Sequence, residues 1–163
     1  MGSALRLRPF RREDYPWYRA WYDDAELDAQ LGPMDEEWLT AVLTESTGEQ
    51  LVAVETAGPR AGEPAAVVGI VWGIPEHPEH TISDLAVCPA LRRTGVGQRV
   101  IAALAEHRFG APARGLIAYV DPDNPGARAF FAGLGWAHTP PPPGEADPMH
   151  AYRAPASEPA PAR

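Results

Sequence analysis

The chain has 163 residues, enough for one domain with a buried core, and its 45% hydrophobic and 22% charged residues exclude general disorder. A formal net charge of −8, with all 14 basic residues arginine, excludes the broad basic surface that a nucleic-acid partner needs. The longest apolar runs are too short to span a membrane, and the single cysteine, Cys88, builds neither a disulfide framework nor a cysteine zinc site. Met1–Arg6 has no apolar h-region, so no signal peptide is expected and the cytoplasm is the predicted compartment. An acidic protein can steer cationic substrates toward itself.

Ala4–Arg8 alternates apolar and charged residues as a half-buried strand does, and Pro9 ends it. From Arg12 to Tyr22 the residues Tyr15, Tyr18, Trp21 and Tyr22 recur at helical spacing beside Trp17, with Pro16 in an early turn. A second helix is predicted over Asp35–Leu43, with Asp35 and Glu36 near its positive end. Strands follow at Gln50–Thr56 and Ala65–Trp72, around the turn Gly58–Gly62, and at Thr81–Val87, which Pro89 closes. Val96, Val100, Ile101 and Leu104 mark one face of a helix over Gly95–Phe109. Leu116–Val120 is strand-like, and Asn124–Gly133 reads as a helix opened by Asp-Asn-Pro and closed by glycine. Trp136–Thr139 and Met149–Arg153 are the final strands, separated by Pro140–Pro143. The order βααβββαβαββ gives an α+β fold with helices on both faces of a sheet. Residues 1–154 are expected to form one domain, and the Pro/Ala-rich stretch 155–163 a disordered tail.

The densest chemical signal is Leu85-Ala-Val-Cys-Pro-Ala-Leu-Arg-Arg-Thr-Gly-Val-Gly-Gln98. A strand ends at proline, a basic turn follows, and two glycines open an amphipathic helix. The first amides of a helix lack intrahelical partners and sit at the positive end of its dipole, so this is the makeup of an anion site. Gly95 and Gly97 let a diphosphate approach the backbone, and Arg92 and Arg93 supply charged donors. The dinucleotide pattern G-x-G-x-x-G fails at its third glycine, where Val100 stands.

Arg92-Arg93-Thr94-Gly95-Val96-Gly97 resembles the Q/R-x-x-G-x-G/A motif of the GNAT superfamily of acyl-CoA N-acyltransferases. Asn124-Pro-Gly-Ala127-Arg-Ala-Phe130-Phe131-Ala-Gly-Leu134-Gly135-Trp136 is similar to that superfamily's N-x-x-A-x-x-F-Y-x-x-L-G-F. The resemblance is specific over Thr81–Trp136 and rests on element order over Met1–Thr56. It implies the GNAT fold, a central mixed, mostly antiparallel sheet of about six or seven strands. It implies acetyl-CoA or another acyl-CoA as co-substrate, no metal, and transfer of an acetyl group to a primary amine by direct attack in a ternary complex. The backbone of Leu85, Ala86 and Val87 would pair with the pantetheine arm. Arg92, Arg93, Thr94, Gly95, Val96, Gly97 and Gln98 would hold the diphosphate, with Asn124 and Phe131 against the arm and the sulfur. The acceptor would be a small-molecule or peptide amine, and the assembly a monomer or homodimer, with neither nucleic acid nor membrane as partner.

Two departures from the family pattern bear on catalysis. Phe131 stands where the family commonly has a tyrosine that protonates the leaving thiolate, and Thr81 and Ser83 stand where a glutamate or histidine base is common. Asp84 matches the second member of the Glu-Asp pair of the diamine N-acetyltransferases. It either binds or deprotonates a cationic acceptor, or anchors a neighbouring loop or arginine. Thr81, Ser83 and Asp84 are therefore the catalytic candidates, and Trp17, Trp21 and Asp84 the acceptor-pocket candidates. Trp17, Tyr18, Trp21 and Tyr22 wall an acceptor pocket or, by the stronger reading, form a buried aromatic face; Asp23, Asp24, Glu26 and Asp28 attract a cationic amine or, by the stronger reading, are solvated surface. Glu76, His77 and His80 offer a base acting through water or part of a metal site, and Cys88 a nucleophile. The loss of the tyrosine keeps open a second function class, an acyl-CoA-binding or regulatory module with little turnover.

Overall fold

The computed structural model describes residues 5–112 and 114–155. Ala4 of the first predicted strand and residues 156–163 of the expected tail lie outside the described residues. The chain forms β1 (Leu5–Pro9), a 3-10 turn, α1 (Tyr15–Trp21), α2 (Ala25–Leu31), α3 (Glu36–Leu43), β2 (Gly48–Glu55), β3 (Pro64–Val71) and β4 (His80–Val87). A second 3-10 turn leads to α4 (Val96–Glu106), β5 (Leu116–Val120), α5 (Pro125–Gly133), β6 (Ala137–Thr139) and β7 (His150–Arg153). The strands take the order β1-β2-β3-β4-β5-β7-β6 in a mixed, mostly antiparallel sheet.

One element departs from the predicted order: α2 is a helix where an acidic surface run was expected. Its apolar stripe is short: Leu27 is buried and Leu31, one turn on, packs against the same core. What starts the helix is a cap: the Asp24 carboxylate accepts from the Leu27 N–H at 3.0 Å. Asp35 caps α3 in the same way, accepting from Trp38 N–H at 2.9 Å.

The chain divides into two compact units, and the boundary cuts β4 between Ser83 and Asp84. In the first, β2 pairs antiparallel with β1 and β3, with a register shift between Ala53 and Val54. Side chains alternate along a strand, so Val52 and Val54 of β2 share a face. With Val67 and Ala86 they form a core with Phe10, Tyr18, Tyr22, Leu27, Met34 and Leu39 from the N-terminal helices and their flanks. The opposite face of β2 meets α4 and the segment after it: Arg99 of α4 donates to both Glu55 oxygens, at 2.7 and 2.5 Å, and Glu49 accepts from the N–H of Gly110, beyond the helix, at 2.9 Å. Helices thus cover both faces of this unit's strands. The β2–β3 connection, Thr56–Glu63, is exposed throughout, with Gly58 and Gly62 at φ 81° and 87°.

In the second unit β5 runs parallel to the start of β4 and antiparallel to β7, which pairs antiparallel with β6. Phe131 of α5 packs on Trp136 and Tyr152, with ring centroids 5.0 and 5.8 Å away. His80, fully buried, accepts from Gly73 N–H at Nδ1 (2.8 Å) and donates from Nε2 to Ala111 O (3.1 Å). Two backbone partners fix its tautomer.

Candidate functional site

The turn between β4 and α4 is shaped by its backbone. Cys88 N–H donates to Ala65 O at 2.9 Å, continuing the strand by one residue, and the 3-10 turn Pro89–Leu91 reverses the chain. Thr94 Oγ1 closes the turn on Leu91 O at 2.6 Å. Arg93 and Gly95 then both adopt left-handed conformations, with φ 60° and 84°. Gly95 is the N-cap of α4, and no side chain caps that helix. Left-handed residues within a turn aim neighbouring N–H groups into a concavity suited to an anion, and uncapped first-turn amides extend it. A Cβ on Gly95 would meet nothing within 4 Å, so the glycine is required by φ rather than by space. Arg93, Thr94, Gly95 and Gln98 are exposed and Gly97 is half-buried, whereas Val96 points into the core. On β4, Leu85 and Val87 are half-buried and share a face, while Ala86 is fully buried on the other.

The sequence made Arg92 a diphosphate ligand; in the structure its side chain is engaged with two acids of the α2 region. Its guanidinium donates to Asp24 from Nη1 at 3.0 Å and from Nη2 at 2.5 Å, and Glu26 lies 3.3 Å away. The same carboxylate caps α2. The charged hydrogen bonds from Arg92 hold the Asp24 carboxyl below its usual pKa, with the Leu27 N–H adding to the effect.

Asp84 sits, half-buried, on the β4 face that carries Ala86. Gln50 Nε2 donates to Asp84 Oδ2 at 2.9 Å, a partner 34 residues away that sequence reasoning missed. The available signal was Gln50 itself, the polar residue on the β2 face that otherwise shows Val52 and Val54. Tyr18 and Tyr22 pair hydroxyl to hydroxyl at 2.7 Å inside the core. Burial is the main force raising both phenols; at Tyr18 the Tyr22 hydroxyl and then Asp84 add to it, and Tyr22 is raised to about 12 although the Tyr18 hydrogen bond acts the other way. Both hydroxyls therefore stay protonated at neutral pH.

Trp17 and Trp21 are half-buried, 5.0 Å apart by ring centroid, and both pack on the core that holds Tyr18. Trp17 is fixed further by Asp14, whose Oδ1 accepts from its indole N–H at 3.2 Å. Asp14, 4% exposed, also takes both Arg8 donors at 2.8 Å and the Arg11 N–H at 2.9 Å. Burial pushes its carboxyl up, but these donors outweigh burial and hold it below the usual range.

In the second unit Asn124 caps α5, its Oδ1 accepting from Ala127 N–H at 3.1 Å, which leaves the Nδ2 group to donate. Phe131 is 6% exposed and lies in the ring cluster with Trp136 and Tyr152. Thr81 is half-buried and Ser83 exposed. His80 is spoken for at both ring nitrogens, which removes it as a base acting through water. Glu76 and His77 lie exposed. Among the described residues no cluster of three or more His, Cys, Asp or Glu could hold a metal. No described helix is long and apolar enough to cross a membrane. An open cleft of about 340 Å³ lined by Pro125, Arg128, Ala129, Ala132, His138 and Tyr152 contains none of the predicted cofactor residues.

The fold matches solved acetyltransferases. An acetyltransferase from Thermus thermophilus superposes with a TM-score of 0.72 at 20% identity, covering 94% of this chain and 99% of that one. Arabidopsis thaliana NAA60 in complex with acetyl-CoA gives 0.66 at 15% identity, over 93% and 98%. A Vibrio cholerae spermidine N-acetyltransferase gives 0.67 at 12%, over 92% of each chain. Comparison with curated protein sequences gives no match. The profile of the Acetyltransferase (GNAT) family matches residues 6–136, most of the chain, and the protein belongs to that family.

Proposed function

We propose that this protein, as one domain over residues 1–154, is a cytoplasmic N-acetyltransferase that moves an acetyl group from acetyl-CoA to a cationic primary amine. The observation that carries the reading is the turn before α4, where left-handed Arg93 and Gly95 precede a helix that no side chain caps. The amides of Val96, Gly97 and Gln98, with Arg93, bind the diphosphate. The backbone of Leu85–Val87 pairs with the pantetheine arm. Asp84, oriented by Gln50, attracts the acceptor's ammonium and takes up its proton through water. The amine nitrogen then attacks the thioester carbon and gives up its second proton to solvent as the C–S bond breaks, and the departing thiolate takes a proton from solvent. Near neutrality a thiol of pKa about 8.5 is a tolerable leaving group without a dedicated acid.

The test is thiol release from acetyl-CoA across polyamines, aminoglycosides, amino acids and peptide N-termini. Acceptor-dependent release that Asp84→Asn suppresses without loss of CoA binding supports the reading. Phe131 favours a second one, an acyl-CoA-binding module: the residue carries no proton to give and lies buried among rings. Tight CoA binding with no release for any amine would establish that module.

A further inference from the structure

Arg92 lies in the turn assigned to the diphosphate, yet its charge is directed at α2. Asp24 takes two of its donors and Glu26 approaches at 3.3 Å, so two carboxylates surround one guanidinium. An arginine neutralised in this way adds little attraction for a phosphate. Asp24 is at the same time the N-cap of α2, whose Leu27 is buried in the core with Tyr18 and Tyr22. Asp28 of the same helix contributes to the negative field at Tyr22. One carboxylate thus joins the cofactor turn to the helices that face the acceptor, across 68 residues of sequence.

We propose that Arg92 is a positioning residue rather than a phosphate ligand: it couples the ordering of the 92–98 turn to the N-terminus of α2, so that acetyl-CoA binding completes the acceptor side. This rests on the assignment of the turn as the acyl-CoA site. Because binding linkage is reciprocal, an acceptor held by the α1–α2 face also tightens the cofactor turn. Backbone amides and Arg93 are left to hold the diphosphate.

The test is amide hydrogen exchange of the full-length protein with and without acetyl-CoA, alongside calorimetric titration. In the wild type, acetyl-CoA slows exchange at 93–98 and also at 25–31. In Asp24→Asn the asparagine still caps α2, so the free protein keeps its exchange pattern and melting temperature. The ligand-induced slowing at 25–31 is lost while that at 93–98 remains. Arg92→Gln behaves likewise, with acetyl-CoA affinity changed less than about threefold, against the roughly tenfold or greater loss expected for a missing charged hydrogen bond. A tenfold loss of affinity in Arg92→Gln would make Arg92 a phosphate ligand and overturn the proposal. So would ligand-induced slowing at 25–31 that survives Asp24→Asn, or none in the wild type. Failure of the wild type to bind acetyl-CoA would overturn the assignment of the turn as well.

Discussion

The turn before α4 and the face that bears Asp84 belong to the same unit and are built from different material. The turn presents main-chain N–H groups, set by the φ values of Arg93 and Gly95, and its side chains are largely exposed or committed elsewhere. The Asp84 face is made of side chains held by other side chains: Gln50 on Asp84, Tyr18 on Tyr22, Asp14 on Arg8 and Trp17. A main-chain site tolerates substitution of most residues around it and fails when something fills it. A side-chain site fails piece by piece as individual partners are removed.

The sharpest way to break this contrast is Gly97→Glu, which places a carboxylate in the first turn of α4. Like charges brought together cost several kcal/mol, so calorimetry should detect no acetyl-CoA binding while circular dichroism reports an intact fold. Binding near wild-type strength would remove the turn from the site. Next in size is Asp14→Ala, which strips Arg8 and Trp17 of their shared partner. Unfolding in urea should show a loss of about 3 kcal/mol, as for a buried ion pair that loses one member.

That carboxylate also carries an acid sensitivity. Its folded pKa is depressed, so its contribution is complete above the unfolded value of about 3.9 and disappears as pH falls through the folded one. Asp14→Asn should therefore flatten the acid limb of stability against pH. An unchanged acid limb would show that other carboxylates set it.

Asp84→Asn tests the second region directly. Acceptor turnover should fall roughly 10²-fold, the usual scale for a general base, with acetyl-CoA affinity nearly unchanged. A drop in melting temperature with full turnover would leave Asp84 as a purely structural anchor. The smallest effect is expected for Phe131→Tyr, because the new hydroxyl enters a ring cluster that is 6% exposed at this position. A stability loss of about 1–2 kcal/mol is expected for an unpartnered buried hydroxyl, with turnover unaltered. A gain in acceptor-dependent thiol release would instead put the ring tip at the thioester.

The two regions differ as much in how they are written in the sequence. Gly95, Gly97 and the paired arginines stand together in the chain, because a main-chain site is specified locally by residues that permit its dihedrals. The strands and α4 were legible for the same reason, through alternation and the spacing of Val96, Val100 and Leu104. Gln50 and Asp84, by contrast, meet only after β2, β3 and β4 assemble, and Asp24 finds Arg92 across 68 residues. No local pattern announces either pair. Helix α2 was missed for a related reason: its apolar signal is the single Leu27–Leu31 step, and its cap is one aspartate among several acids.

The β2–β3 connection offers a practical handle. Thr56–Glu63 is exposed along its whole length, and Cβ atoms at Gly58 and Gly62 would meet nothing. Exposed loop tips of this kind tolerate insertion. Since all basic residues of the chain are arginine, Arg60→Lys would create its single lysine, on a side chain already 44% exposed. Amine-reactive chemistry would then offer one side-chain attachment point for a fluorophore or a solid support, displayed in a known direction.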